Sequence, residues 1–130
     1  MVKFGIFEPK FTKKNWGWEK EIANGKYCGK QLVIAKGKSS SIHYHKDKEE
    51  TFFVHSGKVL MEYSTEDFLN NVFENTDLDN TSGSVILYPG DAFHIPPGLR
   101  HRFTGLEDSY IYVFSTVHKD EDSYRLVESK

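Results

Sequence analysis

"GKSSSIHYHKDKEETFFVHSG", Gly37 to Gly57, sets three histidines and a Glu-Glu pair inside a pattern that otherwise reads as strand. Packing alone gives no reason to place His-x-His beside two carboxylates. Side chains alternate along a strand, so His43 and His45 share one face. The same alternation separates the two glutamates. Glu50, Phe52 and Val54 fall on one face; Glu49, Thr51, Phe53 and His55 fall on the other. Phe52 and Val54 suit an interior, so Glu50 is expected to point inward and Glu49 outward. A buried carboxylate without a partner is expensive. Two imidazoles and one inward carboxylate form a donor set for a transition metal ion with positions left open.

On either side of this stretch, short β-rich segments alternate with glycine and proline turns. "KQLVIAKG" closes at Gly37, "SVILYPGD" turns at Pro89-Gly90, and "AFHIPPG" turns at Pro97-Gly98. "ETFFVHSG" and "KVLMEYS" flank Ser56-Gly57 and read as a hairpin. No segment carries a sustained helical period, and strands at this spacing predict an all-β sandwich or barrel. The polar, Asn-rich run from Ser64 to Ser84 is the exception. It is expected to be a solvated insertion with a helical turn or two capped by Thr65.

Length and composition narrow the classes. The 130 residues fit one domain, 1–130. The net charge of −2 and the lack of a long basic run argue against nucleic acid. The one cysteine, Cys28, cannot form an intrachain disulfide and points to a reducing compartment. It is expected to be a small packed side chain. The first residues hold no apolar stretch of signal-peptide or membrane-span length. A soluble, cytoplasmic protein without membrane contact is the expectation.

"GDAFHIPPGLRHRFTG", Gly90 to Gly105, holds two further histidines, His94 and His101. Pro96 and Pro97 stop one strand, Gly98 permits the turn, and His101 opens the next strand. With both stretches in view, the chain resembles the cupin superfamily. The first cupin motif is matched by Gly37, His43, His45, Glu50 and Gly57, with each spacing met. The second is matched by Gly90, Pro96, Gly98 and His101, with Gly105 where Asn is common. The resemblance implies a jelly-roll β-barrel in which His43, His45, Glu50 and His101 hold one divalent metal ion. Zn, Mn, Fe, Ni and Co all suit that set.

"WGWEKEIANGKYCGKQLVIAKG", "HIPPGLRHRFTGLED" and "STVHKDEDSYRL" are similar to sugar-phosphate isomerase cupins of the type II mannose-6-phosphate isomerase kind. Asp122 and Arg125 match the late Asp-x-x-Arg of that family. His43 stands where Gln is frequent there, and Val113 stands where an acidic residue is common. The likeness implies a small sugar or sugar phosphate as ligand, an aldose–ketose isomerisation, and a homodimer to which "MVKFGIFEPKF" offers an apolar arm. The general base is unknown. A metal-dependent oxygenase and a non-catalytic small-molecule-binding module are the alternatives.

Other polar residues read as scaffold. Arg102, Lys46 and Lys48 are expected at the solvated surface. Tyr44 and His55 face away from the ligands, and His94 faces out or lines the barrel end. His118 has no assigned place. Trp16 and Trp18 are expected to pack.

Overall fold

The computed structural model describes residues 4–64 and 83–130. The insertion after Ser64, with its expected Thr65-capped turn, lies outside them up to Gly83. The strands are β1 (Lys10–Lys14), β2 (Gly17–Asn24), β3 (Cys28–Ile34), β4 (Ile42–Tyr44), β5 (Glu50–Ser56) and β6 (Val59–Ser64). They continue with β7 (Gly83–Leu87), β8 (Ala92–Ile95), β9 (Arg100–Gly105), β10 (Ser109–Ser115) and β11 (Tyr124–Val127). They form a six-stranded sheet, β1-β2-β3-β10-β5-β8, and a five-stranded sheet, β11-β4-β9-β6-β7. Neighbours pair antiparallel throughout. A 3-10 turn, Asp120–Asp122, is the helical element among the described residues. This is the expected all-β jelly-roll barrel. No helix among the described residues is long and apolar enough to cross a membrane.

Alternation builds the interior. Leu32 and Ile34 of β3, Phe52 and Val54 of β5, Val59 and Met61 of β6, and Ile111 and Val113 of β10 all meet in one buried cluster. Each such side chain contributes roughly 1.5–3 kcal/mol by leaving water. Trp16 joins them, edge-on to Phe103 at 5.3 Å. Trp18 packs on the outer face between Phe11 and Tyr110, at 5.7 and 6.5 Å. Cys28 is buried and unpaired.

Two expectations about the strands need correction. First, β5 and β6 do not pair as a hairpin. β5 lies between β10 and β8, whereas β6 lies between β9 and β7. The turn at Gly57 carries the chain from one sheet to the other. Both segments bear an inward apolar face, and those faces pack against each other across the barrel. Gly57 has φ of 93°, and a Cβ there would strike Ser109, so the corner requires glycine. Second, Arg102 is not solvated. Only 3% of it is exposed, and its Nε–H donates to the Ser40 carbonyl at 3.2 Å. It alternates with inward His101 and Phe103, and its outward neighbour on β9, Arg100, is buried as well.

Candidate metal centre

β4 and β9 bring the histidines together. His43 sits opposite His101 in the register of the two strands. His45 lies one residue past the end of β4 on the same side. Beyond it, the Gly98 N–H donates to the His45 carbonyl at 2.6 Å. Gly98 has φ of 85°, so the Pro-x-Gly turn is tied directly to the His-x-His segment. One donor atom from each of the three imidazoles lies within 4.8 Å of the others.

Which nitrogens meet is fixed from behind. His43 Nδ1 donates to the Ser41 carbonyl at 2.9 Å, His45 Nδ1 to Asp122 at 3.0 Å, and His101 Nδ1 to Leu99 at 3.0 Å. Each ring thus carries its proton on Nδ1 and turns an Nε2 lone pair toward the centre, the second-sphere pattern that orients metal-binding imidazoles.

Glu50 completes the floor, 5% exposed, while its neighbour Glu49 points out and pairs with His94 at 3.0 Å. Both orientations follow the alternation of β5. Glu50 Oε2 lies 3.4 Å from His101 Nε2 and 3.8 Å from His45 Nε2. Glu50 Oε2 and His101 Nε2 are buried without a hydrogen-bond partner. With Nδ1 of His101 committed to Leu99, two lone pairs face each other there. Such a contact requires a cation between them, a proton or a metal ion. The donor set therefore fits a divalent transition metal ion.

The electrostatics agree. Burial, then the adjacent His101, lowers the His43 imidazole well below its ordinary value against the pull of Glu50. Burial also lowers His45 to about 4, with Glu50 opposing and Lys48 and His101 assisting. Both rings are held neutral, as metal donors must be. Burial pushes the Glu50 carboxyl up, but His101, Lys48 and His45 outweigh it and hold it below the usual carboxylate range.

Several residues escaped the sequence reading. Lys48, expected in solvent, is 5% exposed. Its Nζ lies 3.1 Å from Glu50 Oε1 and 3.0 Å from His118 Nδ1. The opposite ring nitrogen of His118 donates to Asp120 Oδ1 at 3.1 Å. Lys48 is two residues from inward Glu50, but it precedes the strand, where alternation gives no warrant. Lys30 shares the inward face of β3 with Leu32 and pairs with Glu19 at 3.5 Å. Asp122, marked by the late Asp-x-x-Arg, accepts backbone N–H bonds from Lys46, Asp47 and Lys48 at 2.9–3.2 Å. Its carbonyl holds His45, so one residue grips both the loop and a ligand. Lys46 is exposed, its Nζ 4.6 Å from the Tyr124 ring, and His55 is exposed as expected. The structure thus groups the three imidazoles, and Glu50 lies beside two of them, His45 and His101. Above them opens a polar cavity of about 750 Å³, walled also by Glu19, Lys30 and Arg125.

A family model described as Cupin matches residues 30–127. Among curated proteins no relative is detected. Solved structures share the architecture at low identity. KdgF from Halomonas sp. superposes with a TM-score of 0.67 at 18% identity, over 86% of this chain and 89% of that one. PAC13 from Streptomyces, with uridine, gives 0.73 at 13%, over 98% and 93%. The capsular polysaccharide assembling protein CapF from Staphylococcus aureus gives 0.69 at 17%, over 94% of this chain and 32% of that one. With its barrel, its two motifs and the matched span in agreement, the chain belongs to the cupin family.

Proposed function

We propose that this cupin is a metal-dependent protein acting on a small sugar or sugar phosphate, with aldose–ketose isomerisation as its reaction. The observation that carries the reading is the set of three imidazoles whose Nδ1 protons are all taken by backbone carbonyls, beside an orphaned Glu50 oxygen. His43, His45, His101 and Glu50 would hold one divalent ion, which supplies Lewis acidity toward adjacent oxygens of an open-chain sugar. Isomerisation moves a proton between neighbouring carbons and needs a base that is not a ligand. Glu19 meets that requirement: its carboxylate faces the cavity from the sheet opposite the histidines and is 19% exposed. The polar lining suits a hydroxylated ligand, and the names of CapF and of the uridine-bound PAC13 are in keeping with sugar-derived ligands.

Elemental analysis of the purified protein, followed by a screen of aldose and ketose phosphates for interconversion, tests the reading. Turnover that tracks metal content is the expected result. A metal-loaded protein that binds sugars without turnover would support the non-catalytic alternative, and dioxygen consumption would support the oxygenase.

We also propose a cytoplasmic homodimer. Phe4, Ile6 and Phe7 stand fully or largely exposed, and so do Phe11, Tyr110 and Phe114 on the outer face of the six-stranded sheet. A second copy can cover this face with its own arm, and the arrangement is reciprocal. Light scattering on the full chain and on a Phe4→Ser/Phe7→Ser variant should give a dimer and a monomer respectively.

A further inference from the structure

Lys48 is the charged group that the metal centre leaves unexplained. Its ammonium has three protons. One faces Glu50 Oε1 at 3.1 Å and one faces His118 Nδ1 at 3.0 Å. His118 is fixed in turn by Asp120, at 3.1 Å from its other nitrogen. The lysine is therefore held from two sides on the wall of the cavity, 5% exposed. The other inward lysine, Lys30, is already matched by Glu19 at 3.5 Å.

Without a metal ion, Lys48 and Glu50 neutralise each other. With one, the single negative charge of Glu50 is shared between the ion and Lys48. The desolvated floor then carries surplus positive charge, with one ammonium proton still to place. Such a floor favours an oxyanion.

We propose that Lys48 is a ligand-contacting residue, and that the cavity takes a ligand whose anionic oxygen, from a phosphate or a carboxylate, is received by Lys48 beside the metal centre. His118 is its positioning residue. The proposal rests on the metal-dependent reading above and adds the charge of the ligand and the residue that reads it. It differs from a purely structural role, in which Lys48 only offsets the buried charge of Glu50.

The test uses the full chain loaded with Co²⁺, whose visible absorption reports ligands entering the centre. Inorganic phosphate and acetate are the probes, and metal affinity is measured in parallel against a competing chelator. At least one probe should perturb the wild-type spectrum, and the tighter of the two identifies the anion class. Lys48→Met should weaken that probe by about tenfold or more, the scale of a lost charge-assisted hydrogen bond. Its Co²⁺ affinity should hold or rise, because a positive charge beside the ligand set has gone. Lys48→Arg should recover part of the anion binding. If the Met variant does not fold, Lys48→Gln makes the same comparison with a polar side chain. Parallel loss of metal and anion in the variants would assign Lys48 a structural role and overturn the proposal. So would unchanged anion binding in the variants, or a loaded wild type indifferent to both probes. A wild type that takes up no Co²⁺ would instead overturn the metal reading, and this proposal with it.

Discussion

Removing the charge from Glu50 and from Glu49 should separate two neighbours in the chain. Glu50→Gln takes away an oxygen at the centre and strands Lys48 as a buried charge without its partner at 3.1 Å. Metal affinity should fall about a hundredfold, and stability by about 3–5 kcal/mol. Glu49→Gln, whose carboxylate is 53% exposed, should leave metal affinity unchanged. Metal titration and thermal melts check both. Acid should act on the same residues in the metal-free protein. His45 titrates at about 4 in the fold against an ordinary 6.5. Above that ordinary value neither the folded nor the unfolded chain holds the proton. As pH falls below it, the unfolded chain binds a proton that the fold refuses until about 4, so stability drops, by about 3 kcal/mol at most from this residue. His43 adds to the loss with the same sign. Below 4.5 the unfolded chain also protonates first at Glu50, and the decline continues. Melting temperatures of metal-free protein, taken from neutral pH down to about pH 4, should fall steadily. A flat profile would show that these groups are not held as described.

Among the elements, β11 and the 3-10 turn before it act as a clasp. Tyr124 stacks on Tyr44 at 4.9 Å, and Arg100 lies over Tyr44 at 4.1 Å. This ladder pins β11 to β4 and sets Asp122 against the loop of residues 46–48. Asp122→Ala should cost about 3 kcal/mol, since one buried and two part-buried backbone N–H groups lose their acceptor. It should also weaken metal binding, because the segment that holds His45 through the Asp122 carbonyl loses its tie to the loop. Asp122→Asn, which keeps one acceptor oxygen, should lie between, as calorimetry and metal titration would show. This clasp was only half legible in the sequence. The late Asp-x-x-Arg marked Asp122, but nothing local links it to His45, which lies 77 residues away. The inward face of β5 could be read directly, because Phe52 and Val54 fix which glutamate is buried. The partner strands could not: a Ser-Gly turn between two apolar segments has the same signature in a hairpin and at a barrel corner. Lys48 and Arg102 were misread because their burial comes from elements distant in the chain.

For the molecule as a whole, the core and the centre are separable. Ile34, Val54, Val59, Met61 and Ile111 are fully buried, and none is a metal donor. Chelation at neutral pH should therefore remove the metal and leave the far-UV circular dichroism of the barrel unchanged. Loss of the sheet signal in step with the metal would make the ion structural. The two cupin motifs exposed this architecture in the sequence, since their glycines and prolines mark the turns that bring β4 and β9 side by side.

The position of β10 has a consequence for synthesis. Ser109–Ser115 lies between β3 and β5 and pairs with both along its length. A nascent chain leaving the ribosome holds β3 and β5 long before the strand that joins them. Their facing edges stay unpaired until β10 has been made, open to other chains. The six-stranded sheet cannot close until residues beyond 115 have emerged, and long-range pairing of this kind is slow. The barrel is thus a late-folding product, and its yield in a cell should respond to translation speed and to chaperones that shield strand edges.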